Sequence, residues 1–285
     1  MESLTRREHW DSVHDFERIE VARPEAPTRA TWLRRALKKL FGGGRLAEYM
    51  GSYDDHQIWN TLYARHMPEA GASVVEIGSA PGEHLVKLKE RFGLIPYGIE
   101  YSDSGVSVNR EVFAAAGIDC ANVIPMDFFS DECLDRHRER FDVVVSRGFI
   151  EHFDDAASVV DRHLALLKPG GLLVVTIPNL RGINGALTRV FHKELIPMHN
   201  LEIMSLDAFS RLFDPAAVRP LACRYVGTFS FYLFNTKGGS PLAPLLRACM
   251  KAQTGLNVLF RSLFGDRGAD HHFTSPQLVF LGIKR

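Results

Sequence analysis

The chain of 285 residues is 46% hydrophobic and 24% charged, which suits one globular core domain with attached segments. Lys+Arg and Asp+Glu both number 34, so overall charge offers no general attraction to nucleic acid or to an anionic surface. The four cysteines, at 120, 133, 223 and 249, form no CxxC pair and read as buried or free thiols of a reducing compartment; with no signal-type stretch and no apolar run near the roughly 20 residues of a membrane span, the expectation is a cytoplasmic protein.

Residues 1–50 are charged and lack a clear period, and Pro24 and Pro27 break any helix there. Within them, 28–45 carries six basic residues and no acidic one. Trp32, Leu33, Ala36, Leu37, Leu40 and Phe41 recur at helical spacing until Gly42–Gly44, which predicts a basic amphipathic helix over 31–41 in an N-terminal extension, 1–54. Such a helix either lies on an anionic membrane surface or packs on the domain with its basic face outward. From Ser73 strands and helices alternate. Strands are expected over 73–78, 95–100, 121–125, 141–146 and 171–178. Helices are expected between Pro81 and the stop at Gly93, over 104–116 capped by Ser102 or Asp103, over 154–167 capped by Asp154 or Asp155, and over 205–213. KPGG at 168–171 reads as a turn. A sixth strand is expected within 221–234, an apolar helix over 241–264 and a closing strand over 275–284. Strand–helix alternation at this spacing implies a doubly wound α/β domain, 55–285, on a parallel sheet.

Ligands of open α/β sheets sit beyond the carboxyl ends of the strands, so the residues after each strand carry the information. After the first strand comes Glu76-Ile77-Gly78-Ser79-Ala80-Pro81-Gly82: an acid, two glycines four apart, then a helix. A dinucleotide site would want glycine where Glu76 stands, because a carboxylate repels pyrophosphate. It suits a ligand with an ammonium group, which argues against a nicotinamide-dependent oxidoreductase. After the second strand stands Glu100, placed to accept both ribose hydroxyls of an adenosine. After the third, Asp127 beside Phe128 can take an adenine amino group and cover a ring face. After the fourth, Ser146-Arg147-Gly148-Phe149 lies where cofactor and substrate would meet. Each signal alone is weak; their conjunction at successive strand ends is specific.

The segments VVEIGSAPGEH, PYGIEYS, PMDFF, FDVVVSRGFIEHF and LLKPGGLLVVTIPN resemble the successive motifs of the class I S-adenosylmethionine (SAM)-dependent methyltransferases over roughly residues 55–215. The resemblance implies a Rossmann-like, seven-stranded, mostly parallel sheet of order 3-2-1-4-5-7-6 with helices on both faces and the last strand antiparallel. It implies SAM as cofactor, with Glu76, Gly78, Ser79, Ala80 and Gly82 at its methionine part and Glu100 at the ribose. Tyr101 and Ser102 would lie beside the adenosine, Asp127 and Phe128 at adenine, and Ser146, Arg147 and Gly148 on the floor. Glu151-His152 resembles the quinone-pathway O-methyltransferases and the small-RNA 2′-O-methyltransferases. Some of these hold a divalent metal with E-x-x-E-H and a later His. Here Gly148 replaces the first Glu, so no metal is expected, although His199 could serve as the later His.

A hydroxyl acceptor benefits from a general base, and His152 and His199 are the candidates. Their alternatives are a loop-fixing histidine and an exposed loop histidine. His271 and His272 are lesser candidates, and His84 reads as a surface or loop-packing residue. Lid segments are expected near 179–204 and 228–272, with help from 45–62, where Tyr53 and Trp59 would close over the cofactor. Phe229, Phe231, Tyr232, Phe234, Phe260 and Phe264 are either core or the lining of an apolar acceptor pocket. The expected partner is a small-molecule or lipid- or sugar-linked acceptor. Peripheral membrane contact through 28–45 is left open. Nucleic acid is disfavoured by the neutral charge and by the absence of a basic patch in 55–215. A non-catalytic module of the same fold would be free to lose Glu76, Gly78, Gly82 and Glu100.

Overall fold

A computed structural model describes residues 3–5, 51–236 and 239–285. The basic amphipathic helix expected over 31–41 lies outside the described residues. Seven strands form one sheet: β1 (Ser73–Ile77), β2 (Ile95–Glu100), β3 (Val123–Pro125), β4 (Phe141–Arg147), β5 (Leu167–Pro178), β6 (Val218–Val226) and β7 (Gln277–Lys284). Their order is β3-β2-β1-β4-β5-β7-β6, as the motifs imply. The first five strands run parallel, and β7 is antiparallel to both β5 and β6.

The central strands are apolar on both faces because helices cover both. The helices are α1 (53–66), α2 (Glu83–Phe92), α3 (Asp103–Ala115), α4 (Asp131–His137), α5 (Ala156–Leu166), α6 (Gly182–His192), α7 (Leu206–Ser210) and α8 (Ala243–Phe264). In α1, a π-helical stretch, Ile58–Tyr63, separates two α-helical ends. On one face, Val74, Val143, Val145, Leu172 and Val174 pack against α1, α2 and α3 through Trp59, Leu85, Leu88 and Phe113. On the other, Val75, Ile77, Val144, Leu173 and Val175 pack against α4, α5 and α7 through Cys133, Val160 and Phe209.

Three expectations are corrected. KPGG is not a separate turn. Pairing passes from Phe141–Leu167 to Val143–Leu172, so residues 168–171 are carried as an irregularity within β5, with Gly170 at φ 76°. The sixth strand begins earlier and ends by 226, and Phe231–Leu233 is a 3₁₀ turn. Helices α1, α4 and α6 were not read from the sequence. The short α4 depends on Ser130, whose hydroxyl accepts from the Cys133 amide.

Aromatic side chains from 229–234 pack on one another and on the flanking helices. Phe234 packs with Phe191 and Leu246, and Phe229 and Phe231 close round them between α6 and α8. This cap is tied down by buried amides: Asn179 and Asn184 both donate to the Ser275 carbonyl, and the Gln253 side chain accepts from Phe231 N. No helix among the described residues is long and apolar enough to cross a membrane.

The five-residue α7 is too short to hold itself. It is anchored by Phe209, edge-on to Phe213, whose ring stacks on Phe280 of β7. Phe209→Ala is expected to cost about 3–5 kcal/mol in urea unfolding; a loss below about 1 kcal/mol would mean that the helix is held otherwise.

Candidate functional site

Parallel pairing of β1 with β4 in the register Ile77–Ser146 brings two loops together at the carboxyl edge of the sheet. The first is the glycine turn. Gly78 and Gly82 have φ of 68° and 98°, a region that side-chain-bearing residues rarely adopt. Gly82 precedes α2, and a Cβ there would run into the Asn109 side chain of α3. Asn109 is buried and donates to Ser79 Oγ at 2.5 Å, clamping the turn from below.

Two carboxylates flank this turn. Glu100, buried at the end of β2, accepts from Tyr101 N at 3.0 Å, Ser102 N at 2.9 Å and, at a long 3.4 Å, Ala80 N. Glu76 in β1 accepts from His84 Nδ1 at 3.0 Å, and Tyr63 OH lies 3.4 Å from the other ring nitrogen of His84. His84 is therefore a buried partner of Glu76, not a surface residue. Burial lowers its pKa despite the neighbouring Glu76 charge, so it serves as a neutral donor. Arg147 ends β4 with its side chain accessible, and Glu76, Tyr63 and Asp55 are its electrostatic neighbours. Trp59 of α1 packs on Tyr63, His84 and Phe92, and Lys87 lies over its ring.

Other expected cofactor residues fall differently. Ser102 caps α3, its Oγ accepting from Gly105 N. Tyr101 is half-buried beside it. Asp127 is exposed and its carboxylate accepts from Phe129 N. Phe128 is a core residue, edge-on to Phe149 and His163, so it offers adenine no open ring face. Ser146 Oγ and Asn109 Oδ1 are buried with no hydrogen-bond partner among the described residues. Orphaned acceptors and donors beside a glycine cradle are the mark of a polar ligand site. Together with Glu76 and Glu100, they fit SAM.

The second loop follows β4. Gly148, at φ 61°, turns the chain, and its amide donates to the Thr176 carbonyl of β5. The next turn, Ile150–His152, aims Glu151 and His152 inward, and His199 arrives from the segment after α6. Glu151, His152 and His199 present ligand atoms all within 4.8 Å of one another, and the two imidazole centroids are 4.6 Å apart. His152 Nδ1 lies 2.9 Å from the Met198 carbonyl, and His199 Nδ1 lies 2.7 Å from the Leu195 carbonyl. A carbonyl only accepts, so both histidines carry their proton on Nδ1 and a lone pair on Nε2. Glu151 Oε1 is 3.9 Å from His152 Nε2, while Oε2 has no hydrogen-bond partner among the described residues. Burial pushes this carboxyl up to about 8. His271 and His272 are exposed and stand outside the cluster.

The sequence brought His152 and His199 forward as bases, and Glu151 only as part of the incomplete E-x-x-E-H pattern. Asn109 and His84 carry no local signal, since both act across elements.

The strand order, the glycine turn and the acid ending β2 define the class I SAM-dependent methyltransferase fold. The methyltransferase domain family matches residues 51–216, and the chain belongs to that family. It is similar to the ubiquinone biosynthesis O-methyltransferase of Bradyrhizobium sp. (strain ORS 278), 32% identical over 115 residues, 39% of this chain and 41% of that protein. The chain thus matches about two fifths of that relative's length. Among solved structures, the cyclase SpnF superposes with a TM-score of 0.54 at 16% identity, over 81% of this chain and 80% of that one. Geranyl diphosphate C-methyltransferase from Streptomyces coelicolor A3(2) gives 0.53 at 15% identity, over 93% and 87%. At such identities these two share the fold alone.

Glu151 makes stability depend on pH. Its ordinary value is 4.5 and its folded value about 8, so the folded state holds the proton more tightly. The stability it contributes is full below the first value and is lost as pH rises through the second. Glu151→Gln should leave stability nearly unchanged at pH 5 and raise it by a few kcal/mol at about pH 9, read by urea unfolding. An equal slope in both proteins would mean that the carboxyl is not buried as described.

Proposed function

We propose that the chain is an O-methyltransferase acting on a hydroxyl of a small-molecule or lipid- or sugar-linked acceptor. The observation that carries this reading is the cluster Glu151–His152–His199, set across the crevice from the glycine turn. SAM, when bound, supplies a methyl carbon activated by its sulfonium. The cofactor's methionine end is assigned to Glu76 and the 78–82 turn, and its ribose to Glu100. Ser146, Arg147 and Gly148 are assigned to the floor between cofactor and acceptor.

The chain's own part in the reaction is alignment and proton removal. His152 Nε2, holding a lone pair, accepts the proton of the acceptor hydroxyl, and His199 Nε2 orients that hydroxyl. A proton on His152 gives Glu151, 3.9 Å away, a reason to ionise, because a paired charge offsets the burial that keeps the carboxyl neutral. Histidine and carboxyl thus titrate as a pair: the acceptor's proton ends on His152 Nε2, and Glu151 releases its own proton to solvent, leaving a carboxylate beside the imidazolium. The relatives named for ubiquinone biosynthesis support a hydroxyl acceptor over an amine.

The same donor set favours a second reading. One carboxylate and two imidazoles within 4.8 Å suit zinc or a similar ion better than magnesium, which prefers oxygen ligands. With Gly148 at the first position of the E-x-x-E-H pattern, three protein donors are available. Thermal unfolding with added zinc, in the intact protein and in His199→Ala, separates the readings. A rise lost in the variant supports the ion; no rise supports the base.

Calorimetry with SAM should show micromolar binding that Glu100→Ala weakens at least tenfold, and that Gly82→Ala abolishes through its clash with Asn109. His152→Ala and His199→Ala should keep SAM binding and lose about 10²–10⁴ in turnover on a panel of phenols, prenylated phenols and sugars. Full turnover in both histidine variants would remove the base; absent SAM binding in the intact protein would remove the reading altogether.

A further inference from the structure

We propose that Thr5 is a positioning residue for His152, which makes the N-terminal segment Ser3–Thr5 a working part of the reaction site. The proposal rests on the reading of His152 as the base. Residues 3–5 lie across the loop that follows β4. Ser3 forms an antiparallel bridge with Phe153, and Leu4 N donates to the His152 carbonyl at 2.8 Å. This short pairing delivers Thr5 to the imidazole, with Oγ1 at 2.8 Å from His152 Nδ1. The same hydroxyl donates to the Met198 carbonyl at 3.1 Å, and Nδ1 itself lies 2.9 Å from that carbonyl. Both Thr5 and His152 are buried.

The three atoms form a closed triangle with two hydrogens to share. The Met198 oxygen can only accept. The Thr5 hydroxyl gives its one hydrogen to that oxygen, so towards Nδ1 it can only accept. The imidazole hydrogen must therefore sit on Nδ1, shared between the two oxygens, and the lone pair is left on Nε2. The opposite tautomer would leave a carbonyl and a ring nitrogen facing each other with nothing to bridge them. Two acceptors at different angles also fix the plane of the ring, which one carbonyl would not. At His199 the Nδ1 partner is the Leu195 carbonyl, four residues earlier in its own turn. His152 depends on a partner 147 positions away in the sequence.

The experiment is long-range ¹H–¹⁵N correlation NMR on the full chain labelled in its histidines, with the His152 signal assigned by its loss in His152→Gln. The wild-type His152 should show the Nδ1–H tautomer. In Thr5→Val the Met198 carbonyl still holds the proton on Nδ1, but the ring loses its second acceptor: the His152 Nδ1 signal should shift by more than its line width and turnover on the acceptor panel should fall at least fivefold with SAM affinity unchanged, and Thr5→Ser should restore both. The buried His163, which packs on Phe128 and Phe149 of the core, serves as the fold control. Three results would each overturn the proposal: a wild-type His152 protonated on Nε2, a Thr5→Val spectrum identical to wild type, or a His163 signal that moves together with His152 in both variants. The wild-type spectrum decides the first arm whatever the variants do. Failure here is distinct from failure of the functional reading: if the His152 signal follows Thr5 while His152→Gln keeps full turnover, Thr5 positions a histidine that is not the base.

Discussion

The site depends on one pairing, that of β1 with β4 at the centre of the parallel sheet. Ile77 lies opposite Ser146, and within two residues each strand meets a glycine in the left-handed region, Gly78 at φ 68° and Gly148 at φ 61°. Neighbouring parallel strands that end level, and that each turn sharply, must leave a crevice between their loops. One loop becomes the cradle before α2. The other drops into the turn that carries Glu151 and His152. A slip of this pairing by one residue would exchange the two faces of β4 and separate the loops. The Phe149 ring, lying against Gly78, shows how closely they approach: a Cβ on Gly78 would come within 3.1 Å of it.

Much of this was legible in the sequence because it is local or periodic. The strands are continuous apolar runs, the helices end in glycines, and the acids and glycines stand directly after strands. Glu76, Gly78, Gly82 and Glu100 could be named from position alone. What was illegible is what depends on two elements meeting. Asn109 is a polar residue in mid-helix until α3 packs beneath the turn. His84 looks like a surface residue until the π-helical stretch of α1 places Trp59 and Tyr63 over it. Phe128 looked like an adenine platform because aromatic residues after β3 can be that, but α5 brings His163 against it and makes it core. Thr5 had no signal at all, being a threonine in a charged segment without a period.

Three buried glutamates stand at the carboxyl edge, and their surroundings divide the work among them. Glu76 is given a donor by His84, and Glu100 is given up to three backbone amides. Both are thereby fixed by donors of the chain itself. Glu151 is given none on one oxygen, and its carboxyl rises to about 8. An unsatisfied buried acid is costly, and the fold would be more stable with an amide in its place. On the proposed function the cost has a use, because the acid ionises when an imidazole of the cluster, His152 or His199, gains a proton. The coupling works in one direction only when the imidazole begins with its lone pair towards Glu151. Met198 and Thr5 hold the other side of that ring, so on the proposed reading the pairing of Ser3–Thr5 with the loop after β4 and the Glu151 oxygen that has no partner among the described residues are two halves of one arrangement.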